Sequence, residues 1–209
     1  GKIYDRRIES GECENFQQEY ELAIDYFKKA IGLVQELEME AALSSSLNYL
    51  AQLYKSQGRY SEAEPLFLQA VEIDRRSLPE DHPILANHLN NLAELYRSQG
   101  RYSEAEPLYL QALEIDRRSL PEDHPSLAID LNNLAGLYRS QGRYSEAEPL
   151  YLQAVEILRS KLPANHPNIQ VGWENYVGLW RQGISKGHLT FEQLQKHPFG
   201  EQLLAELQE

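Results

Sequence analysis

The chain has 209 residues, 42% of them hydrophobic and 25% charged, with a formal net charge of −12. That composition supplies a packed core, and its acidity argues against nucleic-acid binding unless a basic patch is segregated from the acid. No apolar run approaches the ~20 residues that cross a bilayer, and the single Cys13 can form neither an internal disulfide nor a cysteine zinc site. A lone thiol suits a reducing cytoplasm. The start, Gly1 to Arg7, is short and charged rather than a secretory signal, and it lacks an initiator Met. The expectation is a cytoplasmic piece of a longer chain, without a membrane span.

Residues 1–41 read as a degenerate repeat: Gly11 interrupts its first part, and Tyr20, Ala23, Phe27, Ala30 and Ile31 mark a helix over 20–33. Three closely similar units follow, 42–83, 84–125 and 126–167. Gln57-Gly58-Arg59-Tyr60-Ser61-Glu62-Ala63-Glu64-Pro65-Leu66 recurs from Gln99 and from Gln141, a step of 42 residues each time. Leu78 to Pro83 recurs as Leu120 to Pro125 and, altered, as Leu162 to Pro167. Residues 168–209 begin as a further first helix, with Trp173 and Trp180 in place of Leu and Tyr. The pattern fails after Gly183, and 188–208 read as two short helices broken near Pro198. Self-similarity at this period is the signature of a stacked repeat, and atypical ends close its core.

Each unit predicts two helices. In 84–99, Leu85, Leu89, Leu92, Ala93 and Tyr96 lie on one face at the helical period. Pro83 suits the first helical position, and Gly100 can close the helix in the left-handed conformation. Ser103 and Glu106 predict a capping box at the start of the second helix, as do Ser61/Glu64 and Ser145/Glu148. Ala105, Leu108, Tyr109, Ala112, Leu113 and Ile115 then form its apolar side.

The run Leu89, Leu92, Ala93, Tyr96, Gly100, Tyr102, Ala105, Tyr109 and Ala112 resembles the tetratricopeptide repeat, whose usual unit is ~34 residues. The longer unit, with Leu-Asn-Asn-Leu-Ala and Asp-His-Pro, is similar to the kinesin light chain class of that repeat. The resemblance covers residues 18–182. It implies an all-α, right-handed superhelical solenoid of antiparallel helix pairs, serving as a partner-binding module and not as an enzyme.

The resemblance also implies that first helices line the concave surface. Their polar faces are Ser45, Asn48, Gln52 and Lys55; Asn87, Asn90, Glu94 and Arg97; Ile129, Asn132, Gly136 and Arg139; and Val171, Glu174, Gly178 and Arg181. A second row is Tyr49, Asn91, Asn133 and Asn175. Lys55, Arg97, Arg139 and Arg181 make a basic line within an acidic chain, and the Asn row can pair with an extended peptide backbone. Tyr49 departs from that row. Two readings stand for each: the Asn residues hold a peptide or set the angle between repeats, and the Arg residues meet an acidic ligand or form ion pairs on a solvated face. Gly136 and Gly178 offer room for a bulky ligand side chain.

His82, His124 and His166 recur once per unit and read as turn formers, since separated residues cannot converge on a metal. No phosphate loop or nucleophile elbow is present, so neither cofactor nor catalytic residue is expected. The expected function is a scaffold that binds an extended, acidic peptide or partner segment. The alternatives are a structural or sensor arm of a larger regulatory protein, or a solenoid that self-assembles into a homo-oligomer.

Overall fold

The structure, a computed structural model, describes residues 12–37 and 39–208, with side chains described from residue 18. The interruption expected at Gly11 and the side chain of Cys13 lie outside the described residues. Among the described residues the helices run in order: α1 Glu12–Glu36, α2 Glu40–Ser56, α3 Tyr60–Ser77, α4 Pro83–Ser98, α5 Tyr102–Ser119, α6 Pro125–Ser140, α7 Tyr144–Lys161, α8 Pro167–Ser185, α9 Phe191–Gln195 and α10 Gly200–Gln208. The chain divides into two compact units, residues 1–80 and 81–209.

In the first unit α2 packs against α1 and α3. Leu47, Leu50, Ala51 and Tyr54 of α2 and Ala63, Phe67 and Ala70 of α3 are buried. Among the described side chains of α1, Ile24 is buried, while Tyr20, Ala23, Phe27, Ala30 and Ile31 are only half-buried. In the second unit α4 pairs with α5 and α6 with α7, and α8 packs on α7. The expected face of α4 is buried throughout: Leu85, Leu89, Leu92, Ala93 and Tyr96. On α5 the apolar side is buried as expected except for Leu108, which is half-buried. At the C-terminal end Leu189, Leu194 and Leu203 join Tyr176 and Trp180 in one cluster, so α9 and α10 cover the apolar side of α8. Trp173 stands at its edge, against Phe199.

The helix starts differ from the capping boxes expected at Ser61, Ser103 and Ser145. The helices begin two residues earlier than a Ser cap would place them, at Tyr60, Tyr102 and Tyr144, and no side chain caps them. The N-cap position belongs to Arg59, Arg101 and Arg143, and the cause is a cluster that the Arg builds. Its guanidinium lies over the ring of Tyr54, Tyr96 or Tyr138, at 4.4, 4.1 and 3.9 Å from the centroid. It also donates twice to Glu62, Glu104 or Glu146 three residues on. Glu106, expected to reach back to its own cap, instead accepts from Arg143 at 2.9 Å. A capping box does form at Thr190 and Gln193, ahead of α9.

The first helices start as the sequence implies. Pro83, Pro125 and Pro167 sit at the opening position, and His82, His124 and His166 are the N-caps. Each His accepts a backbone N–H on Nδ1 at 3.2 Å, so its role in the turn is a cap. The turn inside each pair needs a positive φ, supplied by Gly58, Gly100 and Gly142 at 73°, 75° and 77°.

One buried contact in the second unit is polar. Asp116 of α5 and Asp130 of α6 are 5% and 2% exposed and close enough to act on each other electrostatically, and Asn90 of α4 donates to Asp130 Oδ1. Two carboxyl groups this close together and away from water cannot both be charged. Burial first, and then Asp116, push Asp130 up to about 7. Burial raises Asp116 as well, opposed by Asp130 and by His124. At register-equivalent positions in the next repeat, Leu158 of α7 and Gly172 of α8 make the contact apolar. A Cβ on Gly172 would lie 3.0 Å from Leu158 Cδ1.

A raised carboxyl pKa stabilises the fold below the unfolded value, and that contribution is lost as pH rises through the folded one. The melting temperature is therefore expected to fall as pH increases from ~4 to ~7, across the interval between the ordinary and the raised value. Asp130→Asn, which keeps a donor and an acceptor without titrating, should flatten that slope and raise the melting temperature above pH ~7 by a few degrees. Thermal melts followed by circular dichroism measure both; an unaltered slope in the variant would assign the pH dependence to other groups.

Candidate functional site

In the first unit, Asn48 is buried at 2% exposure, while Gln52 and Lys55 are half-buried one and two turns further along α2. In the second unit, α4, α6 and α8 bring five of the expected residues around one cavity of ≈ 460 Å³: Arg97, Asn132, Asn133, Arg139 and Asn175. Tyr102, Gly136, Ser140, Tyr144, Tyr151, Gln182 and Lys186 complete its lining. Among these described residues three are cationic and none is acidic. Asn90, Asn91, Glu94 and Arg181 do not line it. Asn90 is 8% exposed and turned to Asp130. Asn91 donates to Asn87 Oδ1 at 3.1 Å. Arg181 donates to the Glu206 carbonyl at 3.0 Å.

The Arg residues occupy three different settings at one register. On α4, Arg97 donates to both oxygens of Glu94, at 2.7 and 2.8 Å. Tyr109 of α5 donates to the same carboxylate at 2.8 Å. Its hydrogen bond and charge hold Arg97 firmly protonated. Burial, and then Glu94, raise Tyr109 well above its ordinary value. On α6 the position of Glu94 is taken by Gly136, so Arg139 has no carboxylate three residues before it. Arg139 donates instead to Gln182 Oε1 at 2.9 Å and, at 3.4 Å, to the Asn175 carbonyl. Burial raises Tyr151, and the charge of Arg139 opposes that shift. On α8, Gly178 again stands three residues before an Arg, here Arg181.

Gly178 has a use other than the one expected. A Cβ on Gly178 would lie 3.0 Å from Arg139 Nη1, so the room is filled by the Arg of the preceding repeat rather than kept for a ligand. A Cβ on Gly136 would meet Tyr151 Oη at 3.5 Å and Arg97 Nη1 at 3.6 Å, ordinary contacts at the cavity wall. The Asn row is also bonded between repeats: Asn175 donates to Asn132 Oδ1 at 3.0 Å. A bond between repeats and a place in the cavity lining are thus combined in Asn132 and Asn175.

Lys186 was invisible to the repeat pattern because it lies past the point where the pattern fails; its ammonium sits 5.7 Å from the Tyr144 ring centroid. A second polar cluster also went unread. Glu148 of α7 accepts from Tyr176 at 2.5 Å, and His197 Nε2 lies 3.0 Å from Glu148 and 2.6 Å from Tyr176. Phe199 donates its N–H to His197 Nδ1 at 3.0 Å, so the ring proton is on Nε2, facing these two oxygens. That cluster ties the C-terminal segment to α7 and α8. Among the described residues no helix is long and apolar enough to cross a membrane.

Removing the hydroxyl that Tyr109 gives to Glu94 leaves a half-buried carboxylate short of a donor. Tyr109→Phe is expected to lower unfolding free energy by about 1–2 kcal/mol, measurable by urea denaturation.

No curated protein matches the sequence. Many solved structures resemble the chain, among them the following three. A candidate kinesin light chain of Podosopora anserina, with nearly identical TPR-like repeats, is 24% identical over 97% of this chain and 93% of its own, with a TM-score of 0.68. BtubC (BKLC) from P. vanneervenii is 22% identical over 90% and 73%, with a TM-score of 0.70. A Rap protein complexed with Competence and Sporulation Factor is 19% identical over 96% and 53%, with a TM-score of 0.68, so this chain spans about half its length. These likenesses show an all-α solenoid fold. The tetratricopeptide repeat matches residues 7–76, 40–118 and 84–160, and the chain belongs to the tetratricopeptide repeat family.

Proposed function

We propose that the chain is a protein-interaction scaffold, not an enzyme, and that the polar face of α4, α6 and α8 binds an extended, acidic segment of a partner. The observation that carries this reading is the cavity whose described lining holds Arg97, Arg139 and Lys186 and no acidic residue, in a chain of net charge −12. An acidic surface that keeps one cationic recess selects for negative ligands by charge complementarity. Ile129 and Val171, 46% and 53% exposed, stand one turn before Asn132 and Asn175 on the same helix faces. They offer apolar contacts beside the polar ones. Asn133 and Asn175 line the same cavity and carry amide donors and acceptors of the kind that pair with peptide main chain. Membership of a repeat family built of stacked helix pairs supports the scaffold role. So does the Rap structure, solved with a factor bound.

Binding of an acidic peptide library to the chain and to Arg139→Glu, read by fluorescence anisotropy, tests the proposal. Reversing the charge of Arg139 should weaken binding at least about tenfold while the melting curve is kept. Equal binding to both proteins would remove the cavity from the interface.

A further inference from the structure

The internal counter-ion of the Arg row is present in one repeat and deleted in the next. On α4, Glu94 neutralises Arg97 through two hydrogen bonds and takes a third from Tyr109. On α6 the same register holds Gly136, and the partners of Arg139 are a neutral amide and a backbone carbonyl. Lys186 brings another cation to the same cavity, resting near the Tyr144 ring. With Arg97 assigned to Glu94, two positive charges face a space whose described lining contains no acid. One carboxylate balances only half of that charge. A phosphate monoester carries about −1.5 to −2 and three acceptor oxygens, which suit a guanidinium and an ammonium together.

We infer that the cavity receives a phosphoryl group borne on a side chain of the bound peptide, with Arg139 and Lys186 as its counter-charges and Gly136 as the position that leaves them available. The inference rests on the peptide-binding reading above and adds a chemical identity to it. It makes docking conditional on phosphorylation of the partner: the unmodified segment lacks the dianion that the recess is charged to hold. Gly136 is the means of control within the chain, because a carboxylate there would close onto Arg139 as Glu94 does onto Arg97.

Three fluorescent peptide sets with randomised flanks and a fixed central Ser, Glu or phosphoserine are titrated against the full chain and against Gly136→Glu. The phosphoserine set should bind at least about tenfold more tightly than the Glu set. Gly136→Glu should erase that advantage without lowering the melting temperature, since the site has space for the new side chain and Glu is the better helix former. Equal affinity of the phosphoserine and Glu sets would overturn the phosphoryl inference while leaving the acidic-peptide reading intact. Failure of both sets to bind would overturn both. A phosphoserine advantage that survives Gly136→Glu would overturn the placement at this cavity. Inorganic phosphate competing as strongly as the phosphoserine set would overturn recognition of a peptide-borne group.

Discussion

The distance between paired helices depends on a set of alanines with no exposed surface. Ala51, Ala63 and Ala70 in the first unit, and Ala93, Ala105, Ala112, Ala135, Ala147 and Ala154 in the second, are all at 0%. An Ala side chain lets two backbones approach closely, and interiors packed at crystal-like density do not absorb an added methylene without a shift. Every polar contact between repeats is built on that spacing. Asn175 reaches Asn132, and Arg139 lies along the backbone beside Gly178, because the helices that carry them are held at a fixed separation.

The turn inside each pair is fixed by a different device. Arg59, Arg101 and Arg143 each join an aromatic ring behind them to a carboxylate ahead, and the glycine just before each Arg reverses the chain. A cation lying on a ring and bonded on its edge by a carboxylate restricts both neighbours at once. This cluster explains why the repeated Ser residues are not caps: the chain enters each second helix two residues sooner than a Ser cap would allow.

Most of the fold was legible in the sequence, since a repeated helical period states which face of each helix is buried. Leu85 through Tyr96 is the clearest case. The site was legible only as a face. Spacing placed Asn132, Asn133, Arg139 and Asn175 together, but it could not tell a side chain turned to the cavity from one turned to the next helix, because the partner that turns it lies on another element. Asn90, the register equivalent of Asn132, points to Asp130 instead. The substitution of Glu94 by Gly136 is plain in the aligned units, yet its effect depends on how far Arg97 and Arg139 reach between helices, which periodicity does not encode. Lys186 and His197 belong to the segment where the repeat ends, and there no second copy exists to compare.

Near-identical repeats need not be equal in local stability. The contact between α5 and α6 contains the buried Asp116/Asp130 pair, and that between α7 and α8 puts Leu158 against the bare backbone of Gly172. In a linear stack, stability is a sum of repeat and nearest-neighbour terms, and opening begins where a neighbour term is smallest. The carboxyl pair makes one such term vary with proton concentration, while the apolar one does not. Backbone amides of α6 are therefore expected to exchange with solvent through a sub-global opening that grows as the medium becomes alkaline, and those of α8 to remain governed by the packing around Trp180. The seam of this array is a property of two side chains rather than of the repeat.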